Sequence, residues 1–146
     1  MRSQLKRLLY GRGAPLFDAA WTFSEIMQNV PDETLRYRYF VWLYDRKLPK
    51  SIKRHRAYFR EDLRGFGEDA FHAMWFKLLE EFRPHRLLEI GVYRGQVLSL
   101  WSLIAQRLNT PIDAWGVSPL TAAGDTVSVY LATLDSRRDI QSHFER

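Results

Sequence analysis

The chain has 146 residues, 46% of them hydrophobic, so it can bury one core and is expected to form a single domain. It has no cysteine, which excludes disulfides, thiolate metal sites and cysteine nucleophiles. No apolar run approaches the roughly 20 residues of a membrane span, and the absence of cysteine fits a reducing compartment, so we expect a cytoplasmic protein; the formal charge is +5.

Residues 1–67 are expected to form a helical region that is basic and aromatic. The basic start has only the short apolar run LLY and is a poor signal peptide. A first helix is predicted over 17–30. Pro31, followed by two acids, marks the start of a second helix that runs to Asp45, and Ser51 is the predicted cap of a third.

Basic and aromatic side chains are interleaved within 36–64. The basic residues are Arg36, Arg38, Arg46, Lys47, Lys50, Lys53, Arg54, Arg56, Arg60 and Arg64, and the aromatic residues are Tyr37, Tyr39, Phe40, Trp42, Tyr44, Tyr58 and Phe59. Basic charge neutralises phosphates and aromatic faces stack on bases, so one alternative is a non-catalytic binding module for nucleic acid or an acidic partner. The other alternative is a pair of amphipathic helices whose aromatic side chains face a core.

The remainder, residues 68–146, is expected to alternate helix and strand. The predicted elements are a helix over 68–82, a short buried strand over 86–92, a helix over 95–108, a strand over 112–117 and a last helix that starts at Asp135 or Ser136. A helical crossover between two short strands predicts a right-handed unit with a parallel strand pair.

The turn after the first strand, in the stretch RLLEIGVYRGQ, is the main candidate site. It would lie at the carboxyl edge of a parallel sheet, beside the free N–H groups that begin a helix. Gly91 permits backbone angles closed to other residues, Gly95 permits close approach, and Glu89 is an acceptor for an ammonium group or hydroxyls. This combination suits an adenosyl cofactor with a charged amino-acid tail. The alternative is a tight turn with two glycines and a solvated glutamate.

The stretch from GFGEDAFHAMWFKLLEEFRPHRLLEIGVYRGQ through IDAWGVSPL resembles the front of the class I S-adenosylmethionine-dependent methyltransferases. It is most similar to bacterial methyltransferase-domain proteins whose first motif has the form EIGVxRG, and the resemblance covers 65–146. It implies a Rossmann-like, doubly wound parallel sheet, of which this chain supplies the N-terminal part behind its helical region. It also implies S-adenosylmethionine as cofactor and methyl transfer to an oxygen or nitrogen of a small-molecule or glycan-type substrate.

The same resemblance assigns the candidate cofactor-binding residues. They are Glu89, Gly91, Val92, Tyr93, Arg94 and Gly95 in the loop, and Ser118, which stands where many members carry an acid for the ribose hydroxyls. Asp125 is a possible substitute for that acid, and no residue is assigned as a catalytic base. Because the chain supplies fewer strands than the complete family fold, we expect a truncated chain, a homodimer that exchanges strands, or a partner that completes the sheet.

Two further features of the sequence lie outside this assignment. Glu68 and His72 lie one helical turn apart, a spacing that can share a metal or a proton but is more often a surface contact. No zinc-type spacing accompanies them, so no metal site is predicted. Arg94 either holds a substrate carboxylate or phosphate or is an ordinary exposed arginine.

Overall fold

A computed structural model describes residues 17–118 and 136–144 of the chain. The helices are α1 (Phe23–Asn29), α2 (Glu33–Lys47), α3 (Lys50–Arg60), α4 (Asp69–Phe82), α5 (Gln96–Leu108) and α6 (Ser136–Ser142), and the strands are β1 (Arg86–Ile90) and β2 (Asp113–Val117). A 3₁₀ turn, Glu61–Leu63, follows α3. Asp125 and Asp135 lie outside the described residues.

The described residues form a helix-rich α/β structure with a small parallel sheet, which confirms the predicted α/β class. Membership of that sheet in a larger Rossmann-like fold stays a prediction, and so does the boundary between 1–67 and 68–146. None of the helices in the described ranges is long and apolar enough to cross a membrane.

Two predicted helix starts are wrong. α1 begins at Phe23 rather than at residue 17 because Thr22 caps it: the Thr22 hydroxyl accepts from the Glu25 N–H at 3.2 Å, and the Glu25 carboxylate accepts from the Thr22 N–H at 2.8 Å. α3 begins after Pro49 without a side-chain cap. Ser51 lies inside the first turn of α3, where its hydroxyl accepts a hydrogen bond from Arg107.

The core lies among the helices, with α2 packed along α4 and with α1, α3 and α5 in contact with α4 or with one another. Its largest fully buried side chains include Tyr39, Phe59, Ile26, Leu43, Ile52, Leu100 and Ile104. Four aromatic residues of the basic 36–64 segment, Tyr39, Phe40, Tyr44 and Phe59, are buried. This burial is what the amphipathic-helix alternative predicts, and it removes these four rings from any base-stacking surface.

β1 and β2 pair in parallel through the crossover helix α5, in a register that runs from Arg86↔Asp113 to Ile90↔Val117. β1 ends at Ile90 because Gly91 turns the chain with a φ of +87°. The predicted buried strand is wrong in one respect, because β1 alternates exposed and half-buried residues along its length. Leu87 packs against the core, whereas Ile90, on the other face, is 81% exposed.

Candidate functional site

A cavity of about 700 Å³ lies between the helices and the amino end of α5. Its apolar wall is formed by Phe23, Met27, Phe40, Phe71, Met74 and Val97, and its polar groups come from Glu33, Arg36, Tyr37, Glu68, Glu89 and Gln96. The volume falls within the range of about 300–1,000 Å³ that is typical of small-molecule sites. A mostly apolar wall with a few converging polar groups is the usual composition of such sites.

Glu89 is the residue that connects β1 to this cavity. It lies on the half-buried face of the strand, lines the cavity, and its Oε2 atom is buried without a hydrogen-bond partner among the described residues. Burial raises the pKa of Glu89 to about 7, and a hydrogen bond with the Leu98 backbone opposes that shift. Glu89 Oε2 is therefore an acceptor that could bind a donor group of a ligand, because the described residues provide no donor for it.

Tyr93 is the second residue of the predicted loop that reaches the cavity. It lines the cavity together with Phe66, and the centroids of their rings are 5.1 Å apart with planes inclined at 36°. An aromatic pair beside a carboxylate offers negative ring faces to a cation. Gly91 lies next to this group rather than in the cavity wall, and a Cβ added to it would meet nothing within 4 Å. The φ of +87° is what requires glycine at this position.

Gly95 lies against a side chain of α6 rather than against the strand or a ligand. It is the N-cap of α5 with a φ of +77°, and a Cβ at this position would lie 3.1 Å from the Cγ2 atom of Ile140 in α6. Close approach therefore does occur at Gly95, but the neighbour is a side chain of α6.

Arg94 is engaged by α6 as well. Its Nε donates to Asp139 Oδ2 at 2.8 Å, one terminal nitrogen donates to Asp139 Oδ1 at 2.9 Å, and the other donates to the Asp62 carbonyl at 3.1 Å. The Arg94 side chain is 15% exposed, so the alternative of an ordinary exposed arginine is wrong. A role in holding a substrate anion would require Arg94 to give up these partners.

Val92 and Ser118 join the loop to β2. The Ser118 hydroxyl donates to the Val92 carbonyl at 3.0 Å, and the buried Val92 side chain packs over Gly116, where an added Cβ would come within 2.6 Å of it. Neither residue lines the cavity. Their contacts fix the position of the loop, and the predicted grip of Ser118 on a ribose stays a prediction.

Gln96 and the 65–67 segment are parts of the cavity wall that the sequence did not single out. Gln96 Oε1 accepts from the Gly67 N–H at 2.8 Å, and its Nε2 donates to the Gly67 carbonyl at 3.5 Å. A Cβ on Gly65 would lie only 2.1 Å from Gln96 Oε1. The 65–67 segment, which carries Phe66, is thus held against α5 by one carboxamide. The sequence signal for this contact is the GFG run at 65–67, whose glycines leave room for the Gln96 carboxamide.

A series of hydrogen bonds between His72, His55 and Ser99 links three helices. His72 Nδ1 bonds the Glu68 carbonyl at 2.9 Å, His72 Nε2 bonds His55 Nδ1 at 3.2 Å, and His55 Nε2 bonds the Ser99 hydroxyl at 2.9 Å. Since the carbonyl can only accept, His72 Nδ1 donates to it, and in the neutral ring Nε2 then accepts from His55.

Burial lowers the pKa of His55 to about 3 and that of His72 to about 4, so both rings are neutral near pH 7. The Glu68 carboxylate accepts instead from Tyr37 at 2.6 Å, so Glu68 and His72 do not form the side-chain pair that was considered from the sequence. Within the described ranges, no group of three or more His, Asp or Glu side chains is arranged to hold a metal ion.

Comparisons with protein-family profiles, with curated proteins and with solved structures found no match to this chain.

Proposed function

We propose that the cavity binds S-adenosylmethionine and that the chain is a methyltransferase, or the cofactor-binding portion of one, acting on an oxygen or nitrogen of a small-molecule or glycan-type substrate. The observation that carries the proposal is the Glu89 carboxyl, which lines a cavity of about 700 Å³ and has a buried, unpartnered oxygen. An ammonium group of a ligand would supply the missing donor and a compensating charge.

The other cavity residues fit the remaining parts of this cofactor. Tyr93 and Phe66 line the same cavity as Glu89, and aromatic rings near a carboxylate suit a sulfonium centre. Phe71 and Met74 form apolar wall that suits an adenine ring. Ser118 does not line the cavity, whereas the Glu68 carboxylate does, so Glu68 is a second candidate for the acceptor of the ribose hydroxyls.

The chemistry that the cofactor supplies is an electrophilic methyl group. The protein's contribution is to hold the charged end at Glu89, to exclude water with the aromatic and methionine side chains, and to orient the methyl for in-line displacement. The described residues assign no catalytic base, so the proposal makes the chain responsible for binding and orientation rather than for proton transfer.

The alternative function is a non-catalytic module that binds nucleic acid or an acidic partner through 36–64. Exposed basic residues on α2 and α3, among them Arg38, Arg46 and Arg54, keep that surface positive. Burial of four of the segment's aromatic rings leaves the alternative with electrostatic contacts and little stacking. Affinity that falls steeply with added salt would favour this module, because phosphate binding releases counterions.

Isothermal titration calorimetry with S-adenosylmethionine and S-adenosylhomocysteine tests the proposal. We expect binding by the wild-type chain and at least a roughly tenfold loss in Glu89→Gln, which keeps the size of the side chain and removes its charge. Glu61→Gln, a change of the same type at an exposed position outside the cavity, should bind like the wild type. A folded wild-type chain that gives no heat with either compound would overturn the assignment.

A further inference from the structure

One face of the two-stranded sheet is apolar and open. Side chains at alternate positions of a strand share a face, so Leu88 and Ile90 of β1 lie beside Trp115 and Val117 of β2, their partners in the register. These four side chains are 57%, 81%, 65% and 59% exposed. Parallel sheets are normally covered on both faces, and here α5 packs on the opposite one.

The same face carries one charge of each sign. Arg86 and Asp113 are register partners at the amino ends of β1 and β2, and by alternation they share the face of Leu88 and Trp115. Both are exposed. The face is therefore an apolar patch of four residues with an arginine at the start of one strand and an aspartate at the start of the other.

We propose that this face binds the same face of a second copy of the chain. A two-fold axis that runs between the two faces, parallel to the strands, lays β1 of one copy over β2 of the other. Ile90 then meets Val117 of the partner subunit, and Leu88 meets Trp115 of the partner subunit. Arg86 meets Asp113 of the partner subunit, and the reciprocal contact forms on the other side of the axis.

Charge complementarity selects this arrangement over its alternative. A two-fold axis perpendicular to the strands would place each amino end over a carboxyl end, so that Arg86 and Asp113 would lie on Ile90 and Val117 of the partner subunit. That arrangement sets the neighbouring Arg86 and Asp113 of one copy against apolar side chains of the other, so that no ion pair forms between the copies. The parallel arrangement pairs both charges and buries all four apolar side chains.

The mass of the 146-residue chain in solution, measured by analytical ultracentrifugation across a range of concentrations, tests the proposal. We expect a reversible dimer and a rise in its dissociation constant of at least about tenfold for Ile90→Lys, which places a charge at the most exposed position of the face. Arg54→Asp reverses the charge of an exposed arginine on α3, outside this face, and should leave the dimer unchanged. A wild-type chain that stays monomeric at every concentration would overturn the proposal.

A charge exchange tests the orientation. Arg86→Asp alone and Asp113→Arg alone each place like charges in contact and should weaken the dimer, whereas the double exchange R86D/D113R should restore it to within about threefold. Single changes without effect, or a double exchange that does not recover, would contradict the pairing.

Hydroxyl-radical footprinting of Trp115 separates a second copy from another cover. Protection of Trp115 that increases with protein concentration supports the dimer. Protection that is the same at all concentrations would show that another part of the same chain covers the face, and it would overturn the proposal.

Discussion

Arg94 and Asp139 form a two-point ion pair that fastens α6 to the loop after β1. Two nitrogens of the guanidinium reach the two carboxylate oxygens at 2.8 and 2.9 Å, and the side chains are 15% and 12% exposed. The Arg94 guanidinium lowers the pKa of Asp139, because the bidentate bonds favour the ionised carboxylate. Ile140, the residue after Asp139, packs against Gly95. The short helix α6 therefore contacts both Arg94 and Gly95.

We predict that Arg94→Lys loosens α6 without unfolding the rest of the chain. Lysine keeps the charge but cannot form two parallel bonds with Asp139, and the loss should lower the free energy of opening of α6 by about 1.5–3 kcal/mol. Hydrogen exchange of the α6 amides measures this opening. Arg38→Lys, at an exposed position of α2, is the matched control and should leave the exchange of α6 unchanged.

The same pair predicts a response to acid. Since the folded-state pKa of Asp139 lies below its ordinary value, the contribution of the pair to stability is present above that ordinary value and is lost as the pH falls through the folded pKa. Protection of α6 in the wild type should therefore decline in acid, and Asp139→Asn should remove the decline. Equal acid sensitivity in both proteins would contradict the assignment.

Glu89 gives a further prediction, which rests on the proposed function. Because burial raises its pKa to about 7, binding of a cationic ligand below that pH must remove a proton from the carboxyl. Affinity for S-adenosylmethionine should therefore rise by about tenfold per pH unit up to about pH 7 and level off above it. Calorimetry at several pH values measures the slope, and Glu89→Gln should flatten it.

A control without ligand follows from the same shift. A carboxyl with a raised folded-state pKa binds more protons in the folded than in the unfolded chain between its ordinary value and about 7. The stability of the wild type should fall relative to Glu89→Gln as the pH rises through that interval. Denaturant unfolding of both proteins at pH 5 and pH 8 measures the difference. A constant difference would show that the Glu89 carboxyl is solvated, whether or not the cavity binds a cofactor.

The contrast between Glu89 and Gly95 shows what the sequence could predict. Local spacing placed Glu89 on a strand and Gly95 at a helix start, and the structure confirms both positions. The cavity that Glu89 lines is closed by α1, α2 and α4, so its shape depends on contacts between helices that no local pattern encodes.

Long-range contacts also explain what was missed. Arg94 meets Asp139 from 45 residues away, and Gln96 reaches Gly67 across 29 residues. The sequence showed the arginine and the glycine, but it could not show which side chains would occupy the space beside them. The predicted helices that failed did so at their ends, where a single cap such as Thr22 decides the first turn.

Gly65→Ala provides a test of the 65–67 segment. The added Cβ would lie 2.1 Å from Gln96 Oε1, so the carboxamide must leave Gly67 and give up its two bonds. We expect a loss of about 1–3 kcal/mol in the free energy of unfolding, measured with urea. Gly91→Ala, where space is open but φ is +87°, should cost about 1–2 kcal/mol through backbone strain alone.

Coupling to Gln96 distinguishes the two glycines. In the double variant G65A/Q96A the obstructing side chain is gone, so the combined loss should be smaller than the sum of the two single losses. G91A/Q96A should be additive, because a Cβ on Gly91 meets nothing within 4 Å. Additivity at Gly65 would show that the 65–67 segment is not held by Gln96.

The paired imidazoles predict that acid destabilises the core. Burial lowers the pKa of His55 to about 3 and that of His72 to about 4, so between these values and the ordinary 6.5 the unfolded chain binds more protons than the folded one. Each histidine should therefore cost about 1.4 kcal/mol of stability per pH unit as the pH falls below 6.5. Urea unfolding at pH 7 and at pH 5 is compared between the wild type and a histidine variant, because Glu89 contributes to the wild-type difference with the opposite sign.

The variant His72→Gln should reduce this pH dependence. Glutamine retains a donor for the Glu68 carbonyl and an acceptor for His55, but it does not titrate, so the contribution of one histidine disappears. If His72→Gln keeps the wild-type slope, the imidazole of His72 is protonated inside the fold at pH 5, and the neutral chain from Glu68 to Ser99 does not exist.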